Sequence, residues 1–181
     1  MTTKDLTDSE LLVLGLVAEM PRHGYELEQV IKERGMREWT QIGFSSIYYV
    51  LGKLEQRGLV KADVPVNATA KKSYKMTTKG KKTLVDQTLA TLKSFQPTYP
   101  SLLLGMIHWP VLSRDQALDA LETRKSAVAE ELERLEGIRF EQQPLPDYVD
   151  AIFEFSFGRL KAEADWIDRT LDYMATKPWN S

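Results

Sequence analysis

The sequence predicts a mainly α-helical chain in two parts: three helices closed by a β-hairpin, then a separate helical domain. Three observations carry that expectation. Apolar residues recur at helical spacing along most of the chain, whereas residues 59–77 show the short alternating runs of strands. Pro97 and Pro100 interrupt the helical pattern and mark a boundary. Charge changes sign along the chain: residues 1–82 hold 14 Lys/Arg against 10 Asp/Glu, a balance of +4, and residues 83–181 hold 10 against 16, a balance of −6.

Thr7-Asp8-Ser9-Glu10 matches a capping box, in which the Thr7 hydroxyl accepts an orphan N–H and Glu10 reaches back. The helix that follows carries Leu11, Leu14 and Ala18 on one face, and Met20-Pro21 ends it. A second helix is expected from about His23 to Arg34, with Gly35 as its stop. Residues 36–44 connect it to a third helix capped by Ser45 or Ser46. In that helix Ile47, Val50, Leu51 and Leu54 fit the i, i+3, i+4, i+7 template without a mismatch, and Gly58 stops it. Leu59–Val64 reads as a strand, Pro65–Lys72 as a loop and Ser73–Thr77 as the return strand, with Tyr74 and Met76 on one face. Helix resumes from Lys79 to about Leu92.

Residues 101–112 form a short apolar element. Ser113 and Gln116 then repeat the capping box and open a long helix that Gly137 or Pro144 ends. It carries Leu118, Leu121, Val128, Leu132 and Leu135 at heptad spacing, with Lys125 as the one polar interruption. The last helix begins near Pro146-Asp147 and carries Phe153, Phe157, Leu160, Ala164, Ile167, Leu171 and Met174 in alternating steps of four and three. A second stripe, Tyr148, Ile152, Phe155 and Trp166, widens its apolar surface. A two-helix hairpin cannot cover both flanks, so a second chain is the simplest cover; the other reading is packing within its own domain. The expected dimerisation residues are Leu118, Leu121, Leu132, Leu135, Phe153, Phe157, Leu160, Ile167 and Leu171.

Composition removes several functions. There is no cysteine, which excludes disulfides, thiolate metal sites and cysteine nucleophiles. The two histidines, His23 and His108, lie far apart with no metal-ligand spacing. No glycine-rich phosphate loop or nucleophile elbow is present, so neither enzyme activity, a cofactor nor a metal is expected. No apolar run is long enough for a transmembrane helix, and the N-terminus lacks a signal-peptide core. A soluble, cytoplasmic protein that does not meet the membrane is the expectation.

Only the first part has the sign of charge needed to approach phosphates. The third helix turns Ser46, Tyr49, Lys53 and Gln56 outward, groups that reach phosphates and base edges. Its N-terminus, with Ser45, offers free N–H donors. The hairpin loop ends in Ala70-Lys71-Lys72-Ser73-Tyr74-Lys75, a cationic tip able to lie along a sugar-phosphate backbone. Lys71 and Lys72 are the expected wing contacts, while Tyr74 is expected to pack inward. At the start of the second helix, Tyr25 could donate its hydroxyl to a phosphate, or simply pack; His23 reads as structural. The DNA-binding candidates are therefore Tyr25, Ser45, Ser46, Tyr49, Lys53, Lys71 and Lys72. Gly52, inside the third helix, costs about 0.5–1 kcal/mol relative to Ala. It either allows close backbone approach to DNA or is neutral. Together these elements make a winged helix-turn-helix over residues 1–82, a connecting helix and linker over 83–100, and a helical dimerisation domain over 101–181.

Four ordered blocks then carry a resemblance: Arg22-His23-Gly24-Tyr25-Glu26-Leu27, Ser46-Ile47-Tyr48-Tyr49-Val50-Leu51, Leu54-Glu55-Gln56-Arg57-Gly58-Leu59-Val60 and Tyr74-Lys75-Met76-Thr77-Thr78-Lys79-Gly80. In order and spacing they resemble the PadR-like regulators over about residues 9–82. The helical C-terminal part resembles, by length and pattern, the longer subfamily with a virulence-activator-like domain. The resemblance implies a winged helix, a homodimer and operator binding, usually as a repressor, with small aromatic or phenolic acids as effectors of some relatives. Two positions depart from the pattern: Tyr49 stands where many relatives have Pro, and Ser73 where an aromatic is common. Two other readings stand beside it. One is a winged-helix interaction module without DNA binding, which the retained Lys53 and Lys71-Lys72 disfavour. The other is a ligand-binding scaffold built on the C-terminal aromatics Phe95, Tyr99, Trp109, Phe140, Tyr148, Phe153, Phe155, Phe157 and Trp166, with His108 or Arg159 meeting a carboxylate. Dimer core is the plainer use of those aromatics.

Overall fold

The capping box at Thr7 forms: Thr7 Oγ1 accepts from the Glu10 N–H at 3.3 Å, and Glu10 Oε2 accepts from the Thr7 N–H at 2.9 Å. It opens α1 (Asp8–Glu19). The structure, a computed structural model, describes residues 5–40, 46–63 and 72–177. They divide into two units, one ending at Pro97 and the other starting at Thr98.

In the first unit α1 is apolar on more than one side, burying Val13, Leu14, Leu16 and Val17, because later elements of the unit pack around it. Ala18, expected on the buried face, is exposed. Next comes β1 (Arg22–His23), too short for any alternation to announce it. It leads directly into α2 (Gly24–Glu33), which buries Leu27 and Ile31. Gly35 follows with φ 58°, the left-handed stop the sequence called for. The helix α3 (Ser46–Gln56) buries Ile47, Val50, Leu51 and Leu54, as its spacing predicts.

α3 ends in a Schellman motif. The Leu59 N–H reaches Leu54 O at 2.9 Å and the Gly58 N–H reaches Glu55 O at 2.8 Å, with Gly58 at φ 67°. The hairpin strands β2 (Val60–Ala62) and β3 (Ser73–Met76) are shorter than expected. They pair antiparallel with Val60 opposite Met76, Lys61 opposite Lys75 and Ala62 opposite Tyr74, and β1 pairs on the other side of β3. The sheet order is β1-β3-β2. Tyr74 packs inward, as expected.

Thr77, expected in the strand, instead caps α4 (Thr78–Lys93), accepting from the Gly80 N–H at 2.9 Å and donating towards Gly58 O at 2.8 Å. Gly80 is required there, because a Cβ would lie 2.0 Å from Leu59 O. α4 runs across the expected boundary at residue 82. Leu84 packs on the first core and Gln87 Oε1 accepts from the Leu6 N–H at 3.0 Å.

The second unit begins with α5 (Leu102–His108) and a 3-10 turn at Trp109–Val111. Ser113 and Gln116 form their capping box and open α6 (Arg114–Glu141), which passes Gly137 without stopping. α7 (Asp147–Thr176) returns antiparallel, as cross-links from Arg124 to Glu163 and from Arg139 to Asp150 require. Their seam holds Ala117, Leu121, Val128 and Leu135 against Phe153, Phe157, Ile167 and Met174, all buried. Lys125, the polar interruption, pairs with Asp168 at 2.7 Å, and that carboxylate holds the ammonium above its usual range. Arg114 caps the last carbonyls of α7 at Met174 and Ala175. Among the described residues no helix is long and apolar enough to cross a membrane.

Candidate nucleic-acid interface

With four residues of α3 committed to the core, its opposite face must look outward. Tyr49 is 65% exposed, Gln56 is exposed and Lys53 half-buried. The Lys53 ammonium stands 4.5 Å from the Tyr49 ring centroid, a cation–π contact that orients both side chains along one row. Ser46 is the first residue of the helix. Ser45, Lys71 and the loop between β2 and β3 lie outside the described residues. Tyr25 sits half-exposed in the first turn of α2, whose start is fixed by Glu26 Oε2 accepting from the His23 N–H at 2.7 Å.

Tyr48 was missed. It is 58% exposed, and its ring lies against Gly24, where a Cβ would meet Tyr48 Cε1 at 2.5 Å. The bare backbone of Gly24 therefore seats the ring and locks α2 to the flank of α3. Three tyrosines (25, 48 and 49) accordingly surround the start of the two helices. The sequence signal was available: position 48 falls between the inward and outward rows, and a glycine opens the preceding helix.

Lys72 has a partner within the chain. Its ammonium reaches Glu55 Oε2 at 2.7 Å, across to the last turn of α3, and lies 5.2 Å from the Tyr74 ring centroid. The Glu55 carboxylate holds the Lys72 ammonium above its usual range. Lys75 likewise pairs with Asp63 at 2.9 Å. Lysine charge on the hairpin is thus matched by carboxylates at two of its described positions.

The residues expected for dimerisation lie on the seam between α6 and α7 of one chain. Leu121, Leu135, Phe153, Phe157 and Ile167 are buried there, and Leu118, Leu132, Leu160 and Leu171 are partly buried against the same helices. Of the second stripe, Tyr148 and Phe155 are each 69% exposed and Ile152 is exposed between them, whereas Trp166 packs partly buried on the seam. No group of three or more histidines or carboxylates able to hold a metal ion occurs among the described residues.

A three-helix core, a small antiparallel sheet with a hairpin, and an exposed third helix define a winged-helix DNA-binding protein. Residues 13–86 match the model of the family described as "Transcriptional regulator PadR-like family". That segment is PadR-like, of a family described as transcriptional regulators. No curated protein matches the chain by sequence. Among solved structures, Bacillus subtilis PadR in complex with operator DNA is similar, at 24% identity and TM-score 0.73, over 91% of this chain and 98% of that one. The same protein in complex with p-coumaric acid is similar at 23% identity and TM-score 0.75, over 92% and 98%. The PadR-like transcriptional regulator BC1756 from Bacillus cereus follows at 16% identity and TM-score 0.68, over 94% and 100%. These likenesses place the fold across both units.

Proposed function

We propose that the chain is a cytoplasmic, homodimeric repressor that binds a pseudo-palindromic operator and releases it on binding a small aromatic acid. The observation that carries the DNA contact is the outward row on α3: Tyr49, Lys53 and Gln56 on a helix whose opposite face is locked into the core. Ser45, Ser46 and Tyr49 would meet base edges from the N-terminal turn, with Lys53 and Tyr25 on phosphates and Lys71 and Lys72 at the wing. Two copies would place their α3 helices in successive major grooves about 34 Å apart.

The helical unit, of the longer virulence-activator-like kind, is the dimerisation domain in this reading. The seam residues hold α6 to α7, and the outer stripe of Tyr148, Ile152 and Phe155 receives the second chain. The operator complex of Bacillus subtilis PadR supports the DNA reading, and its p-coumaric acid complex supports an aromatic acid as effector. Titration of the purified protein against promoter duplexes tests the proposal. Binding that weakens as salt rises, and weakens further with p-coumaric acid, is the expected result. Salt-independent binding or none would sink it.

A further inference from the structure

We infer that Glu55 limits how tightly the winged helix holds DNA, by competing with phosphate for Lys72. The inference rests on the DNA-binding reading of α3 given above. Glu55 is in the last turn of the helix that carries Tyr49 and Lys53. Its Oε2 lies 2.7 Å from Lys72 Nζ, at the loop end of β3. The Glu55 side chain is 35% exposed and that of Lys72 48%, so solvent and an incoming phosphate reach both.

The fold does not depend on this pair. The hairpin is already held by the pairing of Val60 with Met76 and Ala62 with Tyr74, by the buried Tyr74 ring, and by Thr77 reaching back to Gly58 O. Exposed ion pairs add little to such an arrangement. What the pair does change is the charge that the hairpin presents. A lysine matched by a carboxylate shows no net charge at a distance, and a phosphate that takes it must displace Glu55 and lie beside its negative charge. Phosphate contacts dominate the affinity of DNA-binding proteins and set its salt dependence. An acidic residue at the end of the recognition helix therefore acts directly on that term. Asp63, 2.9 Å from Lys75, repeats the arrangement on the neighbouring strand.

The test is Glu55→Gln in the full chain, which keeps the side chain's size and removes its charge. Binding is read by fluorescence anisotropy on a labelled random-sequence duplex over a range of salt. The expected result is binding tighter by about threefold to tenfold, with a slope of log affinity against log salt steeper by about one. In the Lys72→Gln background the same change should not steepen the slope. Unchanged or weaker binding by Glu55→Gln would overturn the inference, because the pair would then be inert or would hold Lys72 in place for DNA. If wild-type protein shows no salt-dependent binding, the DNA-binding reading itself falls. If wild-type binds and Glu55→Gln does not tighten it, only the role of Glu55 falls.

Discussion

The two units bury their apolar residues in different ways. The N-terminal unit gathers its core from separate elements: Leu14 and Val17 from α1, Leu27 and Ile31 from α2, Leu51 and Leu54 from α3, Val60 and Tyr74 from the hairpin. The C-terminal unit relies on one seam between two long helices, and leaves Phe140, Tyr148 and Phe155 exposed on their flanks. The first can hold a recognition helix rigid by itself. The second has apolar surface to spare, the form expected of an element completed by another chain.

The sharpest way to break this comparison is to empty the multi-element core. Leu51 is fully buried, so Leu51→Ala should cost about 2–5 kcal/mol in urea unfolding. Leu132→Ala, on the partly buried edge of the seam, should cost clearly less. Equal losses would mean that the two cores are built alike. Gly80→Ala comes next. Its Cβ would lie 2.0 Å from Leu59 O, and relieving that clash should cost about 1–3 kcal/mol and loosen the junction of α3 with α4. Hydrogen exchange should show faster exchange at the Thr77 and Leu59 amides.

Phe155→Glu probes the other half of the comparison. Charge on an already exposed ring should leave the helix signal in circular dichroism unchanged, yet weaken self-association at least about tenfold in sedimentation experiments. Unchanged association would move the interface off this stripe. Tyr49→Ala should shift stability by no more than about 0.5 kcal/mol and alter the DNA sequence selected. Loss of binding to all sequences alike would make Tyr49 a phosphate contact instead.

The smallest effect concerns Glu19, whose carboxyl is held below its ordinary range first by the hydrogen bond from Arg34. A depressed folded value means that the unfolded chain binds more protons in that window. The contribution is full above the ordinary carboxylate range and is lost as pH falls through the folded value. Glu19→Gln should therefore flatten the acid limb of a pH–stability profile slightly.

What could be read from the sequence was local. The capping boxes at Thr7 and Ser113 and the apolar row of α3 involve residues three or four apart, and each formed as spacing implied. What could not be read was set by contacts distant in sequence. β1 is two residues long and exists because β3 pairs with it. The seat of Tyr48 on Gly24 joins two helices, and the turn of Lys72 towards Glu55 joins a strand to a helix. Heptads at Leu121, Val128 and Ile167 announce a helical partner without saying whose helix it is; all three share one core of α6 and α7 of the same chain.

In the proposed reading, α3 reads duplex DNA from a two-fold symmetric protein. Selection of duplexes from a random pool by the purified full chain, followed by sequencing, tests it most directly. The expected result is enrichment of an inverted repeat with half-sites about one helical turn apart, whose bases but not whose symmetry change in Tyr49→Ala. A pool that emerges unenriched, or enriched in a single unrepeated site, would contradict it.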